Sequence, residues 1–334
     1  MRPALLLLLT LHSPAAPSIR AEPLKAVHLL AAGQDSPVFV FQDNFWVNLH
    51  HFLRAEARRR ASGLPLELPP AALKPGERAT WESDLGVYAD LAKRSFIFDQ
   101  TLVRIDNVLA LKSESIIKST TTVDPRVVMA LNSAAPIYRE HRWGHDHLEN
   151  QQWIAAHDPS IMEQAPSIKA AIGRVFGMEP PERPILADVV RDIGPNLAYT
   201  TDGPTGFSGH TFIAPQANSN ADVALDTVLH EISHTMDHGI IAALDAEAAR
   251  QHAQIPPDMW HAITLYTTGE LVRNKLGRSR AHPSYAPNAA FFNLFAKGSW
   301  HGIFVDLQTY WLPYLNGKGK LSDALAAVVG NAPR

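Results

Sequence analysis

The segment His230-Glu231-Ile232-Ser233-His234 places two imidazoles four residues apart, with a carboxylate directly after the first. On a helix that spacing puts both rings on one face, one turn apart, where they can share a metal ion. Glu231 then projects beside the metal rather than onto it, the position of a general base acting on metal-bound water. Zinc is the natural occupant, one ion, because it takes nitrogen and oxygen ligands in tetrahedral geometry and lowers the pKa of bound water toward about 7. The chain contains no cysteine. Thiolate zinc sites, iron–sulfur clusters and cysteine nucleophiles are therefore excluded, and a transition metal must rest on histidine and carboxylate. Sixteen histidines leave ample candidates.

The pattern predicts a helix from about Asp222 to His238 to carry the motif, with Leu225, Val228, Leu229, Ile232 and Met236 turned inward and Gly239 as its stop. Ahead of it, Ile185 to Val190, Asn196 to Thr201 and His210 to Ala214 read as strands of a small sheet, each bounded by Gly, Pro, Asn or Asp. Upstream the pattern is helical. Asp43 to Ser62 is capped by Asn44 or Asp43, Trp81 to Leu111 breaks near Phe96 to Asp99, and Pro125 opens a helix reaching about His141. Two shorter helices follow, His147 to Ala156 and Pro166 to Phe176. Gly63 to Gly76 contains Pro65, Pro69, Pro70 and Pro75 and reads as a connector. Downstream, Ala242 to Gln251, Pro257 to Leu276, Asn288 to Ala296, Ile303 to Leu315 and Leu321 to Val329 are helical, with turns at Pro283 to Pro287 and Asn316 to Lys320. The expected class is α+β, predominantly α-helical. A helical region, 22–180, precedes a region, 181–334, that carries the sheet and the motif.

A chain of 334 residues with 46% hydrophobic content can bury a substantial core. Its net charge of −3 and the absence of a basic stripe argue against a nucleic-acid partner. The densest basic run, Arg58 to Arg60, closes a helix, where cations favour the dipole. Residues 1–21 follow the pattern of an export signal: Arg2, the apolar block Ala4 to Leu11, then small residues and prolines from Ser13 to Ser18. The expectation is a periplasmic or extracellular protein, with no stable membrane insertion after cleavage, since no later segment has transmembrane length.

From about Ile185 to Leu276 the chain resembles a zincin metallopeptidase, and more closely the gluzincin type; the likeness is specific at His230, Glu231 and His234. Its flanking helices resemble those of secreted bacterial proteins bearing the same pentapeptide. The resemblance implies a zinc peptidase acting on a peptide or protein. Its small sheet would pair an edge strand with the substrate backbone, and its third ligand would be a Glu on a later helix. The metzincin pattern fails, because Asp237 and Ile240 occupy the positions of its glycine and third histidine. On a straight helix His238 lies about 12 Å from His230, too far to share one ion. Asp245 and Glu247 come too soon after Gly239. Glu270, beside Gly269 on a helix able to pack back on the motif, is the favoured third ligand; the plainer reading pairs it with Arg273. Asp237 is placed to orient an imidazole. Tyr266, His301, Tyr310 and Tyr285 are candidates for the oxyanion, and the strand containing His210 is the candidate for substrate pairing.

Two further histidine-rich segments, Asn48 to Phe52 and His141 to His147, read as helix-packing layers or cleft wall, although a second metal is conceivable at the latter. Gly206-Phe207-Ser208-Gly209 lacks the nucleophile elbow of serine hydrolases, and no phosphate-binding glycine loop is present. Two alternatives stay open: a non-catalytic binding or scaffold protein with no metal or only structural zinc, and a zinc hydrolase of a non-peptide amide or ester.

Overall fold

The computed structural model of the protein describes residues 37–95, 99–113, 115–118, 122–194, 198–216, 220–277, 295 and 300–332. The expected export signal, the turn at Pro283 to Pro287 and all of the expected helix Asn288 to Ala296 except Phe295 lie outside them. No described helix is long and apolar enough to cross a membrane.

Four strands form one sheet: β1 (Phe39–Gln42), β2 (Ile185–Val189), β3 (Ala198–Thr201) and β4 (Gly209–Ile213), in the order β1-β2-β4-β3. The first three in that order run parallel, and β3 runs antiparallel to β4 with Thr200 opposite Thr211. Three strands match the sequence reading. β1 was not expected; its four residues run directly into the cap Asn44 and are too few to show alternation.

Side chains alternate across the sheet and divide the core in two. Leu186, Val190, Tyr199 and Phe212 pack against α1 (Phe45–Ala61), α2 (Pro75–Tyr88), α3 (Gln100–Leu109) and α4 (Pro125–Tyr138). Ile185, Ala187, Val189 and Ile213 pack on the other face. There they meet α5 (Gly144–Phe176), α6 (Ala221–Glu231), α7 (Asp237–Gln251), α8 (Met259–Lys275), α9 (Trp300–Asp306), α10 (Leu312–Leu315) and α11 (Leu321–Gly330). The result is the α+β, mostly helical class expected. The layers cross the sequence border at 180–181: β1 pairs with β2, and α5 packs on α6 and α8.

α5 corrects the expectation of two short helices. It is one helix of 33 residues with Pro159 and Pro166 inside it. Each interior proline costs about 3 kcal/mol. Against that, Trp153, Ile161, Ala165, Ile168, Ile172 and Phe176 form one buried stripe at helical spacing. Each large apolar side chain there contributes about 1.5–3 kcal/mol, enough to carry the helix through. It ends at Gly177, left-handed at φ 66°, with the Met178 N–H donating to the Gly173 carbonyl at 2.8 Å.

Gly239 does not stop a helix; it lies in the first turn of α7. A Cβ there would fall 2.0 Å from the Met178 sulfur. The glycine therefore makes room for the connector that follows α5.

Candidate metal centre

α6 is capped by Asn220, whose side chain accepts from the N–H groups of Asp222 and Val223, and it ends at Glu231. Ile232–Thr235 tightens into a 3-10 turn, and α7 restarts at Asp237. The motif is thus not housed in one continuous helix as expected. Two hydroxyls account for the change: Ser233 Oγ donates to the His230 carbonyl at 2.7 Å, and Thr235 Oγ1 to that of Ile232 at 2.8 Å. Such back-bonding competes with the helical ladder. The rings of His230 and His234 nevertheless remain together, with centroids 4.8 Å apart.

The third member of the set is His261, near the start of α8. The ligand atoms of His230, His234 and His261 all lie within 4.8 Å of one another. His230 Nε2 and His261 Nε2 are 3.3 Å apart. Two nitrogens at about 2.0–2.1 Å from a tetrahedral zinc stand about 3.3–3.4 Å apart, so this edge already has the span a zinc ion requires. Thr268 Oγ1 donates to the Thr264 carbonyl at 2.9 Å, and lies 3.1 Å from His230 Nδ1. The hydroxyl oxygen therefore accepts from Nδ1–H, which leaves the Nε2 lone pair for a metal. His234 Nδ1 has the Asp237 carboxylate beside it, Oδ2 at 3.6 Å, an ion-pair contact.

Glu231 is positioned from the sheet. Its Oε2 accepts from Thr200 Oγ1 at 2.8 Å, and Thr200 Oγ1 lies 2.7 Å from Thr211 Oγ1. The same carboxylate stands 4.0 Å from His234 Nε2. Burial pushes the Glu231 pKa up, against the pull of His234 and Thr200. Burial, together with the neighbouring His234 and His261, drives His230 well below the ordinary histidine range. His261 falls to about 3 through burial and His234. For His234 burial opposes the charge, but Asp237 and Glu231 outweigh it and the pKa is raised. The set is therefore two neutral imidazoles and one that two carboxylates favour as a cation.

Other expected residues stand elsewhere. Glu270 is nine positions from His261, which is about 180° around a helix of 3.6 residues per turn. It is fully buried on the opposite side of α8 and pairs with Arg273 at 2.7 Å. Tyr266 is turned about 140° from His261, and its ring meets Phe304 with centroids 5.9 Å apart. His210 lies on the sheet face away from Glu231. Its Nε2 is 2.8 Å from Asp188 Oδ2 and its Nδ1 2.9 Å from Asn107 Oδ1. β4 is paired on both sides, so it has no free edge for a substrate; the border strand beside Glu231 is β3. The side chain of His301 and all of Tyr285 lie outside the described residues, and Tyr310 is partly buried against the core. His238 is exposed on α7.

His261 escaped the sequence reading, yet a signal was present. His261, Thr264 and Thr268 fall at i, i+3 and i+7, one polar stripe on a largely buried helix. Two other groups could offer ligand atoms: Glu77, Glu140 and His141, and His145, Asp146 and Glu149. Lys74 already bridges Glu77 and Glu140, while Arg142 and Arg191 lie against Asp146 and Arg191 against Glu149. Both groups are tied into ion pairs with basic side chains, which singles out the histidine set. Comparison of the chain with protein-family models, with curated proteins and with solved structures finds no match in any of the three.

Proposed function

We propose that the protein is a zinc-dependent hydrolase, a peptidase of the zincin kind, with His230, His234 and His261 holding one ion and Glu231 as general base. The observation that carries this reading is the convergence of three imidazoles, one pair already 3.3 Å apart at Nε2, with a buried carboxylate beside them. Bound zinc supplies a polarised water of lowered pKa. With an ion held there, the Glu231 carboxylate would accept a proton from such a water and hand it to the leaving amine. Thr200 fixes the carboxylate while that happens. An extended peptide would lie along β3, whose outer edge has no paired strand among the described residues. The N-terminal pattern supports export to the periplasm or outside the cell, where a peptide or protein would be the substrate.

Metal analysis of tag-free protein tests the centre. One zinc per chain is expected in the wild type and in Glu270→Gln, and loss of zinc in His261→Ala. A zinc-free wild type whose stability does not change on adding zinc would sink the proposal. Catalysis is tested by Glu231→Gln, which should keep its zinc while hydrolysis of a peptide library falls by about 10²–10⁴. Unchanged cleavage would remove Glu231 from the mechanism.

A further inference from the structure

Two indoles frame His261, and they differ. Trp300 meets the ring edge-on at 5.4 Å between centroids, is buried, and donates from Nε1 to Asp258 Oδ2 at 2.6 Å. It is locked on both sides. Trp260 stacks on His261 at 5.2 Å, with planes 26° apart, and stands edge-on to His234 at 5.9 Å. Yet Trp260 is only partly buried. Its ring lies beside His234, whose side chain is 13% exposed and reaches solvent more than those of His230 or Glu231.

Resting on the hydrolase reading, we propose that Trp260 is a specificity-determining residue whose partly exposed indole receives an aromatic side chain of the substrate next to the bond that is cut. The indole offers a broad apolar plane for offset or edge-to-face contact with a second ring. Trp260 stacks on one ring of the set and meets another, and a side chain on it is placed beside whatever carbonyl the set polarises.

The test uses the zinc-loaded full chain and two probes, acetohydroxamate and 3-phenylpropionohydroxamate, with binding measured by calorimetry and no turnover required. Wild type should bind the phenyl probe about tenfold or more tighter. Trp260→Ala should lose that margin while keeping its zinc and its affinity for acetohydroxamate, which a merely structural role would not preserve. Trp260→Phe, which retains a smaller aromatic plane, should keep part of the margin and serves if the alanine variant does not fold. Zinc-loaded wild type that binds both probes equally overturns this inference alone, as does an undiminished margin in Trp260→Ala. Failure to hold zinc at all overturns the hydrolase reading first, and the two failures are thereby distinguishable.

Discussion

On the face of the sheet covered by α1 to α4, three buried histidines each meet a partner of the protein's own. His51 Nε2 faces Asp106 Oδ1 at 3.2 Å, His50 Nδ1 faces the Tyr88 hydroxyl at 2.9 Å, and His210 lies between Asp188 and Asn107. Among the described residues these three do not form a group of converging ligand atoms. On the opposite face, His230 and His234 have oxygens at Nδ1 and converge with His261 through their remaining nitrogens. Residue type is the same on the two sides, although His234 and His261 are less deeply buried than His50, His51 and His210. What separates them is convergence: the histidines of the first face each end on a separate partner of the protein's own, whereas those of the second bring their ligand atoms within 4.8 Å of one another.

The comparison can be broken most forcefully at Asp188. Its carboxylate accepts from His210, from Gln42 Nε2 and from the Asn44 N–H. Asp188→Ala strands all three groups in the interior and should cost about 3–5 kcal/mol in chemical denaturation, while the folded fraction keeps its full zinc. Loss of zinc in that variant would mean the two faces are not independent. Thr268→Val tests the other side. It keeps the shape but removes the acceptor at His230 Nδ1, and zinc affinity should fall about 10–100-fold in a competition titration. An unchanged affinity would show that Thr268 does not orient the ring.

The smallest effect is a slope in pH. Burial holds His50 at about 3, with His51 and Arg54 reinforcing it against Asp106. Its unfolded value is near 6.5. Between those values the unfolded chain binds the proton that the folded chain refuses, so stability falls as pH drops through 6.5. The contribution is at most about 1.4 kcal/mol per pH unit. Urea denaturation at a series of pH values should show a shallower slope in His50→Gln than in wild type; equal slopes would mean that His50 is protonated in the folded protein.

What could be read from the sequence follows from how local each signal is. Asn44 and Asp124 mark helix starts because a cap acts within three residues, and both accept from the following N–H groups. His230, Glu231 and His234 are legible for the same reason, since four residues suffice to place them. Ser233 and Thr235 lie inside that window, yet their effect on the helix depends on which carbonyl each hydroxyl captures. Glu270, the expected ligand, and His261, which the sequence reading missed, stand on opposite faces of one helix, and only the packing of α8 against α6 decides which face meets the motif. The long α5 was hidden for a similar reason. Its prolines are visible locally, whereas the burial that overrides them is supplied by α6 and α8.

The Met178–Gly239 contact sets a limit on how this chain can vary. Loops between elements ordinarily accept insertions. The connector after α5 should not, because one added residue would withdraw the thioether from the start of α7 and leave a void beside the turn that carries His234. Bulk at position 239 and length at 178–184 are therefore constrained together, so that a side chain gained in one place would have to be answered by a residue moved in the other.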